Sequence, residues 1–174
     1  MAISLVFTVI GPDRPGLVEH LAAAVSDQEG NWLESRMDVL AGQFAGTVLV
    51  TVPDDKAEPL RKVLMDLEKE GLRVMVEVAP GTDMPEETHP VRLEVFGQDH
   101  PGIVRDITHV LAEKAVNISE MATERSMGAM SAEAVFRFHA AIQLPETLSM
   151  DDLRAALEVL AGDIMVDVDL AEDP

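Results

Sequence analysis

A chain that repeats itself is confined to folds its half can adopt, and this one repeats. Shifted by 86 residues, positions 11–31 fall on positions 97–117 with six identities: Gly11/Gly97, Asp13/Asp99, Pro15/Pro101, Gly16/Gly102, Val18/Val104 and Asn31/Asn117. Conservative pairs such as Leu17/Ile103, Leu21/Ile107 and Val25/Leu111 fill the intervals. Apolar positions repeat because each copy must turn the same helix face toward a core. Asp, Pro, Gly and Asn repeat at a loop and after the helix, where packing demands less. The duplication thus points to a shared fold and to a shared loop chemistry.

Periodicity orders the elements within each copy. Residues 3–10 form a continuous apolar strand, and Val91, Leu93 and Val95 alternate with Arg92 and Glu94 in its counterpart. A helix follows, presenting Leu17, Val18, Leu21 and Val25, or Ile103, Val104, Ile107, Val110 and Leu111. Two strands come next, about 32–40 and 45–53, then about 117–125 and 132–144, with Ala134, Phe136, Phe138 and Ala140 on one face. Second helices carry Leu60, Val63, Leu64 and Leu67 against Leu153, Ala156, Leu157 and Leu160. Last strands turn Val74, Val76 and Val78, or Ile164, Val166, Val168 and Leu170, inward. Strand, helix, strand, strand, helix, strand, twice over, predicts an α+β chain. Its two tandem ferredoxin-like βαββαβ units would each be a four-stranded antiparallel sheet with two helices on one face. The expected domains are 1–79 and 91–174. Between them 80–90, with Pro80, Pro85 and Pro90 among polar residues, is expected to be a linker.

That fold hosts many unrelated functions, so composition and motifs must choose among them. The absence of cysteine excludes disulfides, thiolate metal sites and cysteine nucleophiles, and fits a reducing compartment. A net charge of −19 repels phosphate backbones, and 3% aromatic residues supply few stacking platforms, so direct nucleic-acid binding is not expected. No apolar run approaches the ~20 residues of a membrane helix, and the first ten residues read as a strand rather than a signal peptide. The cytoplasm is the expected location. His20, His89, His100, His109 and His139 lack metal-ligand spacing, and no catalytic constellation or phosphate loop is present, so neither metal, cofactor nor catalysis is expected. His139 should lie on the face opposite Phe136 and Phe138. Trp32 is expected either to line a site or to be buried at a domain interface. Residues 125–133 are expected to form a hairpin loop rich in small residues.

The strings IGPDRPGLVEHL and FGQDHPGIVRDI, each followed by a helix and then Asn31 or Asn117, resemble the ACT domain family. The family pattern is a strand, D-x-P-G, an apolar pair, a helix and an Asn opening the second strand. The resemblance covers both copies. A chain of two such domains resembles, further, the free-standing double-ACT proteins of the glycine cleavage system repressor family. That resemblance implies a regulator that binds a small amino acid such as glycine and acts through a protein partner, a transcription factor, without touching DNA. The alternative is a detached allosteric subunit of an amino-acid metabolic enzyme. Unpaired sheet edges invite side-by-side pairing into a continuous sheet, so a homodimer is expected.

The candidate ligand-binding residues are Asp13, Arg14, Pro15, Gly16, Leu17 and Asn31, with Asp99, His100, Pro101, Gly102, Ile103 and Asn117 in the second copy. Glycine lets a ligand approach the backbone, and a helix N-terminus favours a carboxylate. The Asp and Asn oxygens are acceptors for an ammonium group. The same residues admit a structural role: Asp13 and Asp99 as helix caps, proline in the first turn, glycine for tight packing, Asn at a strand start. The copies differ at Arg14/His100, Pro12/Gln98 and Trp32/Ile118, so they need not share one ligand.

Overall fold

The computed structural model describes residues 1–79, 90–127, 134–164 and 166–172. The chain divides into two compact units, Met1–Met84 and Pro85–Pro174. The first runs β1 (Ala2–Pro12), α1 (Leu17–Asp27), β2 (Asn31–Leu40), β3 (Gln43–Pro53), α2 (Asp54–Asp66) with a 3₁₀ turn at Leu67–Glu70, and β4 (Arg73–Val78). The second runs β5 (Pro90–Gln98), α3 (Ile103–Glu113), β6 (Asn117–Met127), β7 (Ala134–Gln143), α4 (Met150–Ile164) and β8 (Val166–Glu172). Each sheet is antiparallel, ordered β2-β3-β1-β4 and β6-β7-β5-β8. The α+β architecture expected from the periodicity is therefore the one observed, twice.

Alternation along the central strands decides which face each helix pair covers. Leu5, Phe7 and Val9 of β1 point to the same side as Val48 and Val50 of β3, and there meet Leu17, Leu21, Leu60 and Leu64. In the second unit Leu93, Val95, Phe136, Phe138 and Ile142 meet Ile103, Ile107, Leu111, Leu153 and Leu157. Within each unit the other face of the sheet carries no helix among the described residues. His139 lies on it, 3.5 Å from Glu94, as alternation with Phe138 requires.

Several local expectations need correction. Val18, Val63 and Val78, expected to face inward, are exposed, at 47%, 37% and 56%. Helix α1 buries Leu17, Leu21, Ala24 and Val25, a stripe that leaves Val18 just off its edge. Ile164 ends α4, and the last strand begins at Val166. Arg125, Ser126 and Met127 belong to β6, because pairing with β7 extends to Met127. The rest of that expected hairpin loop, 128–133, and the expected linker apart from Pro90 lie outside the described residues. Trp32 sits at the edge of the first unit's own core, its ring edge-on to Phe7 with centroids 6.1 Å apart.

Candidate functional site

Each repeated loop joins the first strand of its unit to the following helix. Gly16 and Gly102 adopt φ of 91° and 97°, a left-handed conformation that costs other residues ~1–2 kcal/mol, and this turn starts the helix. They, and not the aspartates, occupy the N-cap positions, and no side chain caps either helix. The expectation of Asp13 and Asp99 as caps is thus corrected: the positive-φ glycine steers the chain so that the aspartate stands clear of the first turn. Pro15 and Pro101 lie just before the cap rather than in the first turn, which begins after the glycine. The earliest amide of α1 bonded back to the cap is that of His20, donating to the Gly16 carbonyl at 3.0 Å; Asp106 does the same to Gly102 at 3.0 Å. The amides ahead of those have no partner one turn back in their helices. Leu17 and Ile103 bury their side chains in the core, each 3% exposed, so only their backbones can serve a ligand.

The surroundings of the two loops differ. In the first, the Asp13 amide donates to the Gly42 carbonyl at 2.9 Å, which ties the loop to the β2–β3 turn. The Asp13 carboxylate has no hydrogen bond or ion pair among the described residues. Arg14 reaches Glu70 at 3.3 Å, and His20 stands 3.4 Å from the same carboxylate. In the second, the Asp99 amide donates to the Ala134 carbonyl at 2.9 Å, while its carboxylate receives Arg125 Nε at 2.5 Å. His100 Nδ1 lies 3.3 Å from the Pro101 carbonyl oxygen, and its Nε2 is buried without a partner. The Ile103 amide donates to the His100 carbonyl at 3.3 Å.

Asn31 and Asn117 are not brought to the loops of their own units. Asn31 pairs with Thr51, which pairs with Ser4, whereas the loop leaves β1 after Pro12. That is eight residues along β1, or about 26 Å at the rise of a strand. Asn117 pairs with Gln143 opposite Pro90, again at the far end from Gln98. Its side-chain amide reaches Gln143 Oε1 at 3.4 Å. Local order along the chain suggested one cluster; strand register separates it into two ends of a sheet. Arg125 is the residue near a loop that motif reading missed. Its signal was a mismatch, since the 86-residue offset sets it against Val39.

Among the described residues no group of three or more His, Asp and Glu side chains is arranged to hold a metal, and no helix is long and apolar enough to cross a membrane. Residues 4–78 match a family model of the ACT domain, and residues 85–162 match a second ACT domain model. None of the curated proteins matches the sequence. Among solved structures, an unknown protein from Galdieria sulphuraria is 30% identical, with 100% of each chain covered and a TM-score of 0.89. A protein provisionally named a glycine cleavage system transcriptional repressor is 18% identical over 99% of each chain, with a TM-score of 0.73; this likeness is one of fold.

Proposed function

Because the chain belongs to the ACT domain family, with one domain in each half, we propose that it is a non-catalytic regulator that binds a small amino acid at a D-x-P-G loop. The observation that carries this reading is the uncapped start of α1, beside a positive-φ glycine whose missing side chain leaves open space. Unpaired amides at the positive end of a helix suit the ligand's carboxylate, and Asp13 suits its ammonium. Occupancy would shift the population of assembled states, and a partner protein in the cytoplasm, such as a transcription factor, would read that shift.

The assembled state we propose is a homodimer through β2, an edge strand whose outer amides and carbonyls have no partner strand within its sheet. Antiparallel pairing of two β2 edges would set the Asn31 end of one copy beside the Leu40 end of the other, next to the turn that holds Asp13. Asn31 would then complete the loop of the second copy, which accounts for an Asn so far from the loop of its own unit. The test is thermal shift of the full chain against each common amino acid, glycine first. A ligand at one hundred times its dissociation constant should stabilise the fold by ~2.7 kcal/mol. Gly16→Leu fills the open space and should abolish that shift. A wild type unmoved by every amino acid, or a shift that survives both Gly16→Leu and Gly102→Leu, would refute the assignment. Affinity capture with ligand present should recover a transcription factor; a biosynthetic enzyme in its place would make the protein an allosteric subunit.

A further inference from the structure

We infer that the two loops are not equivalent: the first is open to an ammonium-bearing ligand, whereas the second already holds a cation of its own, the Arg125 guanidinium. This deepens the proposed function and rests on it for the identity of the ligand. Arg125 stands opposite Phe136 on β6, so it points to the helix side of its sheet, and from there its Nε meets Asp99 at 2.5 Å. Val39 stands opposite Phe44 on β2, the same position in the first unit. An apolar side chain there offers Asp13 no counter-ion, and Asp13 has none among the described residues. An intramolecular partner is present at a high effective concentration, so a free ammonium ion must displace it to reach Asp99.

Two further contacts act in the same direction. A Cβ built on Gly16 would meet nothing within 4 Å, whereas one on Gly102 would lie 3.7 Å from an Arg105 guanidinium nitrogen and 3.8 Å from Asp106 Oδ2. The space above the first glycine is empty; above the second it holds a salt bridge, Arg105 to Asp106 at 2.8 Å. The first amide of α3, that of Ile103, is also engaged, by the His100 carbonyl. The second loop also leaves an imidazole nitrogen unmet, His100 Nε2, which is no substitute for a carboxylate in holding an ammonium group. Cation acceptor, open space and free amide coincide in the first unit alone.

Titration calorimetry of the full chain with each common amino acid tests this directly. The expected stoichiometry is one ligand per chain. Asp13→Asn and Val39→Arg should each weaken binding at least tenfold, and Asp99→Asn should leave affinity within twofold. Val39 is half-exposed on an edge strand, so arginine there leaves the core intact. The double variant Arg105→Glu, Arg125→Val gives the second unit the residues of the first at both positions and should raise the stoichiometry toward two. Two sites per wild-type chain, or an Asp99→Asn loss as large as that of Asp13→Asn, overturns the inference. Titration with methylammonium chloride, followed by the carboxylate carbon shifts of Asp13 and Asp99, decides the matter without the natural ligand. Asp13 should respond and Asp99 should not. An equal response overturns the inference even if no amino acid binds, a result that would by itself remove only the proposed function.

Discussion

A Cβ built on Gly11 would lie 2.6 Å from the Gly71 carbonyl oxygen and 2.7 Å from Leu72 Cδ2. At Gly16 a Cβ would touch nothing, yet φ is 91°. Both glycines repeat in the second copy, as Gly97 and Gly102. One is held by the close approach of the chain after α2, the other by its backbone conformation. Gly11→Ala must push apart strand and turn and should cost ~1–3 kcal/mol as overpacking does. Gly16→Ala should cost only the ~1–2 kcal/mol of a left-handed alanine. Urea denaturation distinguishes them by sign when Asn, which tolerates positive φ, is tried at each: Gly16→Asn should recover stability relative to Gly16→Ala, and Gly11→Asn should lose more. The loop itself was legible in the sequence because its glycine, proline and aspartate are set by local backbone geometry. The Arg125 contact was not, since nothing local marks which strand residue will reach a loop far away in sequence.

Helix α1 shows what periodicity can and cannot assign. Residues 17, 21, 24 and 25 face the sheet, and Leu21 is fully buried while Val18 is 47% exposed. Leu21→Ala should therefore destabilise by ~2–5 kcal/mol. Val18→Ala, although Val18 is one of the six repeated identities, should stay within ~0.5 kcal/mol of wild type. Guanidinium denaturation of the two variants side by side checks both values, and a large Val18 effect would mean that this face is covered in solution. Alternation is a local property, and along the central strands β1, β3, β5 and β7 it survives into the sheet. Register is not local. A bulge interrupts the β2 ladder between Trp32 and Glu34, and another interrupts β6 between Ile118 and Glu120, two residues beyond the repeated Asn in each copy. Neither the bulges nor the distance from Asn31 to Asp13 follows from chain order, and so the Asn seemed to belong with a loop at the other end of its sheet.

Across the whole molecule the two cores draw on separate sets of side chains, one from residues 5–76 and one from residues 91–170. Each unit closes its own sheet with its own helices, so a substitution can be placed in one core alone. The single tryptophan makes this measurable. Trp32 packs edge-on against Phe7 in the first core, so its fluorescence reports the first unit alone, while far-ultraviolet circular dichroism reports both. Phe138 is fully buried in the second core, and Phe138→Ala should cost that unit ~3–5 kcal/mol. Units of this size unfold cooperatively, so the variant should split the dichroism transition in two while the tryptophan midpoint stays in place. A tryptophan midpoint that moves down with the dichroism would show that the second unit supports the first energetically. The inequivalent loops would then belong to one coupled folding unit, and a ligand held at Asp13 would stabilise Phe138 and its neighbours as strongly as it stabilises Phe7.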